Sequence, residues 1–150
     1  MKYSIVIPTY NHCDDLLKPC IDSLIQYTDF NDLELIVVGN GCTDNTVDYL
    51  MSINVPVKLV WNSEPLGYTI ATNIGIRHSI GEYVILLNND TVFLDFRAKN
   101  EWLALLEQPF IDDKTVGITG PLQHYYEDLD IDFLVFCMVM IKREMFTKFG

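Results

Sequence analysis

The chain has 150 residues, 49% of them apolar and 21% charged, a composition that fits one folded domain with one core and excludes a disordered or fibrous chain. Ten Lys plus Arg against 21 Asp plus Glu give a formal charge of −11. That balance argues against nucleic acid as a partner and against docking on anionic lipid, which both need clustered cations, and leaves open a divalent metal or a metal-complexed nucleotide.

Taken in chain order, strands and helices alternate. Residues 3–7 are a β-branched run that predicts a strand stopping at Pro8. Residues 14–27 place Leu16, Leu17, Cys20, Ile21, Leu24 and Ile25 at helical spacing, and Pro19 predicts a kink or a late helix start. Residues 33–38 predict a second buried strand ended by Gly39-Asn40-Gly41, and residues 43–53 a helix with Asp44 in its first turn. A third strand over 57–61, a helix over 67–79 closed by Gly81, and a fourth strand over 83–87 ending in Asn88-Asn89-Asp90 follow.

Three strand–helix units and a fourth strand predict right-handed crossovers and a mostly parallel sheet with helices on both faces. After residue 95 the pattern changes to a helix over 99–108, a short strand over 115–119, a long strand over 133–141 and a final helix over 143–149. This reads as a mixed extension of the first sheet within one domain. The nine-residue apolar run at 133–141 is too short to span a bilayer as a helix, and the N-terminus has no leader-like stretch, so no transmembrane segment and a cytoplasmic location are expected. Cys13, Cys20, Cys42 and Cys137 show no metal-binding spacing and read as structural thiols. If the long strand is left uncovered, a homodimer is the expected remedy.

In open parallel sheets, ligands sit outside the carboxyl ends of the strands. The polar clusters fall at those ends: Thr9-Tyr10-Asn11, Gly39-Asn40-Gly41, Asn62 and Asn88-Asn89-Asp90. Four polar ends on one rim predict one crevice.

The stretches SIVIPTYN at 4–11, LELIVVGNGCTDNT at 33–46, NSEPLGYTIATNIGI at 62–76, GEYVILLNNDT at 81–91 and FLVFCMVMIKREMFTKFG at 133–150 together resemble the family 2 glycosyltransferases of the GT-A fold. The resemblance implies a Rossmann-like α/β domain whose residues to about 95 hold the nucleotide and whose residues 96–150 begin the acceptor half. It implies transfer of a sugar, with inversion, from a nucleotide-sugar to a saccharide, lipid or protein acceptor that the sequence does not name. A UDP-sugar is the first choice of donor.

The resemblance also assigns roles. Asn88-Asn89-Asp90 stands at the family's Asp-x-Asp motif, so Asp90 is the expected ligand of Mn²⁺ or Mg²⁺, while Asn88 brings an amide where the family has its first aspartate. A lone carboxylate implies metal arriving with the nucleotide. Pro8, Thr9, Tyr10 and Asn11 match the loop that holds the base and ribose. Gly39 and Asn40 stand at the base-contacting pair, with Gly39 replacing an aspartate. Asn62, Gly67, Thr72 and Asn73 fall in the stretch that faces the diphosphate; Thr72 stands where Arg is frequent, which leaves Arg77 as the nearest cation. His124 is a candidate further metal ligand, and His12 a candidate ligand contact.

The family's catalytic base lies in a Glu-Asp pair that follows the last strand and helix, so here it would fall beyond Gly150. Glu127 and Asp128 form an earlier Glu-Asp pair and are the base candidates within the chain, against a solvated acidic loop as the plainer alternative. Slow donor hydrolysis is expected if the acceptor side is incomplete. The contrasting expectation is a nucleotide-binding or assembly module without catalysis.

Overall fold

The computed structural model describes residues 1–124, 132–134 and 136–149. Six strands form one sheet in the order β3-β2-β1-β4-β8-β5. β1 (Tyr3–Thr9), β2 (Leu33–Asn40), β3 (Val57–Asn62) and β4 (Tyr83–Leu87) run parallel, while β8 (Met138–Lys142) runs antiparallel to both β4 and β5 (Ile118–Thr119). β6 (Leu122–His124) and β7 (Asp132–Leu134) pair in a separate ribbon.

The alternation of side chains along each strand divides the core in two. Ile5, Ile7, Leu35, Val37, Ile85 and Leu87 face α1 (Lys18–Tyr27), α2 (Thr46–Ser52) and α4 (Glu101–Asp112), packing against Ile21, Leu24, Trp102 and Phe110. Val6, Ile36, Val38 and Val84 face the other way, onto Ala71 of α3 (Tyr68–His78) and Phe146 of α5 (Arg143–Phe149). Trp102 is fully enclosed, and its Nε1–H donates to Thr28 Oγ1 at 3.1 Å, so α4 is tied to the end of α1.

β1 runs two residues further than its sequence suggests, through Pro8 to Thr9. The reason is that β4 pairs with β1 only as far as Val6, so no β4 carbonyl needs the N–H that Pro8 lacks. Before α1 the chain makes one π-helical turn, Cys13–Leu17, and Pro19 then sits in the first turn of α1, where its missing N–H does no harm. α4 continues past Gln108 and through Pro109 to Asp112.

The single strand expected over 133–141 does not exist. A turn at Phe136 and Cys137 divides it, with β7 in the ribbon and β8 inside the sheet. β8 has a neighbour on each edge, and Val139 and Met140 are fully buried. Among the described residues, β8 is therefore not the uncovered edge strand on which the homodimer expectation rests.

Candidate functional site

At the carboxyl ends of β1 and β2 and beside the turn after β4 lies a cavity of about 340 Å³. Its walls are Pro8, Thr9, Tyr10, Leu16, Asn40, Pro65, Gly67, Tyr68 and Asn89. The volume is at the small end of the roughly 300–1,000 Å³ usual for ligand pockets. Six of the residues singled out from sequence, Pro8, Thr9, Tyr10, Asn40, Gly67 and Asn89, meet there. The strand-end logic thus puts distant parts of the chain around one space.

The β1 loop is held in place by the loop after β2. Asn11 and His12 both have left-handed backbone, at φ 54° and 57°. Asn and His are among the residue types that adopt this uncommon backbone most readily, and hydrogen bonds with the neighbouring loop fix the turn. The Asn11 N–H donates to Cys42 Sγ at 3.3 Å, and the Cys42 thiol donates to the Thr9 carbonyl at 3.4 Å. Asn11 Oδ1 accepts from the Thr43 N–H at 2.7 Å, and Asp44 Oδ2 accepts from the Cys13 N–H at 2.9 Å. Asn11 is therefore a staple between loops more than a free ligand contact. Burial pushes the Asp44 carboxyl upward, but hydrogen bonds from Thr46 and from the Cys13 N–H outweigh it and hold the group below the usual carboxylate range. His12 is exposed and bonds Asp15 at 3.0 Å, away from the cavity walls.

The turn after β4 is anchored from beneath. The Asn88 N–H donates to the Cys137 carbonyl at 2.8 Å, and the Cys20 thiol, pushed up to about 12 by burial, donates to the Asn88 carbonyl at 3.6 Å. Asn89 Nδ2 donates to Thr9 Oγ1 at 3.0 Å, joining this turn to the β1 loop. Asp90 comes next and is exposed at the rim. Asn88 is not a cavity wall; its Oδ1 accepts from the Tyr68 hydroxyl at 3.0 Å. Tyr68 escaped the sequence reading. Its only signal is an aromatic side chain at the first position of α3, directly after Gly67.

Gly39 has a structural cause. A Cβ there would stand 2.6 Å from Trp61 Cε3 on the neighbouring strand, so the Trp61 ring occupies the space an aspartate would need. Asn40 is 5% exposed and its Oδ1 accepts from the Leu66 N–H at 2.9 Å, which leaves its amide N–H groups for a ligand. Asn62 lies behind it, with Nδ2 at 3.4 Å from Asn40 Oδ1, outside the cavity wall. Thr72 is buried and its hydroxyl donates back to the Tyr68 carbonyl at 2.8 Å, so its proton is engaged within the helix. Asn73 is exposed and not a cavity wall. Arg77 sits in the last turn of α3, nine residues or roughly 13 Å along the axis from Tyr68, too far to serve as the cation of this site.

The backbone of His124 ends β6, paired with Asp132. Glu127 and Asp128 lie outside the described residues. Among the described residues no group of three or more His, Cys, Asp or Glu comes together, and no helix is long and apolar enough to cross a membrane. A larger concavity of about 490 Å³ lies at the opposite, amino-end rim, walled by Tyr83, Phe110, Lys114, Lys142 and Arg143 among others.

The sheet order, with its parallel strands and an antiparallel β8, is that of the GT-A fold. The model of glycosyl transferase family 2 matches residues 4–150, and the chain belongs to that family. It is 35% identical over 130 residues to the poly(ribitol-phosphate) beta-glucosyltransferase of Bacillus spizizenii, an alignment that covers 80% of this chain and 20% of that protein. An uncharacterized glycosyltransferase of Haemophilus influenzae is 24% identical across 98% of this chain and 55% of its own length. Among solved structures, the mannosyltransferase PcManGT of Pyrobaculum calidifontis, in complex with GDP-Man and Mn²⁺, superposes with a TM-score of 0.79 at 24% identity, covering 99% of this chain and 46% of that one. S. aureus TarS in complex with UDP superposes with a TM-score of 0.71 at 20% identity, covering 99% and 48%. The chain thus spans about half or less of the proteins it resembles.

Proposed function

We propose that this chain carries the donor site of a metal-dependent glycosyltransferase, which moves a sugar from a nucleotide-sugar to a saccharide, lipid or protein acceptor with inversion. A UDP-sugar remains the first candidate. The observation that carries the reading is the meeting of Thr9, Tyr10, Asn40, Gly67 and Asn89 around one cavity, with the Asp90 carboxylate on the adjoining turn. All of these residues precede position 95, which supports a nucleotide-binding first half and an acceptor side that begins with residues 96–150.

Tyr10 is half exposed at the cavity mouth and offers its ring to a nucleobase. Asn40 offers amide N–H donors from a fixed position. Gly67 has no atom within 4 Å of where a Cβ would stand, so the first N–H groups of α3 are open to phosphate oxygens, which the helix N-terminus also attracts. The site fits a hard divalent cation shared with a diphosphate, because the rim supplies one exposed carboxylate oxygen donor at Asp90, and Mn²⁺ or Mg²⁺ takes its other positions from phosphate and water. Bound there, the cation would neutralise charge developing on the departing nucleoside diphosphate.

A screen of UDP-, GDP- and dTDP-sugars for metal-dependent release of the nucleoside diphosphate tests the reading. Release from one donor class, abolished by EDTA, is expected. The uncharged Gly39, Thr72 and Asn88 favour one second reading, a nucleotide-binding module without transfer; it forecasts binding but no release over hours.

A further inference from the structure

We infer that Tyr68 is a positioning residue that sets the polarity of the Asn88 amide, so that Asn88 presents hydrogen-bond donors to the ligand and Asp90 alone contacts the metal. The inference rests on the donor-site reading and extends it to a residue that no motif marks.

Tyr68 is the first residue of α3, directly after the left-handed Gly67 at φ 80°. Its side chain is 54% exposed, yet it is not loose: the hydroxyl reaches the turn after β4 and donates to Asn88 Oδ1 at 3.0 Å. The ring also forms part of the cavity wall. Tyr68 therefore straps the start of α3 to the end of β4, the two element ends that the donor-site reading gives to the diphosphate and the metal.

An amide has an acceptor end and a donor end. With its oxygen engaged by Tyr68, Asn88 turns its NH₂ to a ligand. Those protons suit ribose hydroxyl or phosphate oxygens, and they cannot coordinate a cation. Asn89 is set the opposite way, because its NH₂ donates to Thr9 Oγ1 and its oxygen remains. Two adjacent amides are thus held in opposite senses by bonds to two different elements. A tyrosine suits the strap, since its rigid ring reaches far while few torsions need ordering.

Calorimetric titration of the protein with UDP, and with GDP as second probe, tests this, each with saturating Mn²⁺ and with EDTA. Tyr68→Phe should weaken binding about 3–10-fold, the fold-change of one lost neutral hydrogen bond. The ratio of affinity with Mn²⁺ to affinity with EDTA should rise, because the freed Asn88 oxygen can turn toward the ion. Asn88→Ala should weaken binding similarly, and adding Tyr68→Phe to it should change nothing more. Asn88→Asp, which keeps the strap but trades donors for a charged acceptor, should raise the Mn²⁺ dependence further. Thermal melting of all variants should stay close to that of the parent, since Tyr68 is half exposed, Asn88 is only partly buried and one neutral hydrogen bond is lost.

Tyr68→Phe binding at parental affinity with a parental Mn²⁺ ratio would overturn the proposal. So would an equal loss from Tyr68→Phe in the Asn88→Ala background, which would make Tyr68 a direct contact instead of a strap. Failure of the parent protein to bind either nucleotide, with or without Mn²⁺, is a separate result; it would remove the donor-site reading itself and this proposal with it.

Discussion

The two rims of the sheet make an instructive pair. The amino-end rim has the larger concavity, about 490 Å³ against about 340 Å³, and it holds Lys114, Lys142 and Arg143. Each of those cations has a hydrogen-bond partner within the protein: Lys114 the Phe110 carbonyl, Lys142 the Lys114 carbonyl, Arg143 the Gly81 carbonyl and Ser79 Oγ. Nearby, Glu107 accepts from both Lys2 and Tyr3, which raises the Lys2 pKa chiefly through that hydrogen bond. On the carboxyl-end rim, the hydrogen bonds run between loops and leave an amide, an exposed carboxylate and a half-exposed aromatic ring at an opening. Volume alone would choose the amino-end rim; the free polar groups favour the carboxyl-end rim, where the donor site is proposed. What distinguishes a site is polar groups held in place by one end with the other end free.

The contrast can be broken most severely at Gly41. It has φ 79°, and a Cβ there would stand 2.5 Å from the Pro65 nitrogen. Gly41→Ala should cost about 2–4 kcal/mol in chemical denaturation, from left-handed strain plus overpacking. A loss below 0.5 kcal/mol would mean the loops after β2 and β3 are not locked together.

Gly39→Asp should cost about 1–3 kcal/mol through its clash with the Trp61 ring. Trp61→Ala in the same chain should recover most of that loss, since it vacates the space. No recovery would show that something other than the ring forbids an acid at position 39.

Asp44→Asn should cost about 1 kcal/mol and weaken UDP binding, because Asp44 fixes the backbone of Cys13 and Thr46 around the β1 loop. The sign in pH follows from its lowered pKa. Its stabilisation is complete above the ordinary value of 3.8 and is lost as pH falls through the lower value of the folded state. Acid titration of stability should therefore be shallower below about pH 4 in Asp44→Asn than in the parent.

The smallest effect belongs to the amino-end rim. Glu107→Gln should lower stability by less than about 1 kcal/mol, since Lys2 is partly exposed and the pair is screened. UDP affinity should not change. A drop in UDP affinity would erase the distinction between the rims.

Much of this was legible in the residues. Apolar spacing marks β1 to β4 and α1 to α3, because a parallel sheet covered on both faces demands continuous apolar strands, and the polar residues that end them mark the rim. The residues fail where tertiary contacts decide. The apolar run at 133–141 carries no Gly or Pro to signal the turn at Phe136 and Cys137, so its division between two sheets is invisible locally. Asn11 and Thr72 have suitable chemistry at suitable positions, but neighbours across loops or along the helix already engage them. Tyr68 is significant only because Asn88, twenty residues on, lies within reach of its hydroxyl. Periodicity reports which face of an element is buried; it does not report which polar ends are already paired.

The central claim concerns Asp90, and isothermal calorimetry of the Asp90→Ala protein with UDP, with and without Mn²⁺, tests it most directly. The Mn²⁺-dependent part of UDP affinity should fall at least about tenfold, or about 1.4 kcal/mol, while metal-free binding changes little. An Asp90→Ala protein that keeps the parental Mn²⁺ dependence would contradict the account.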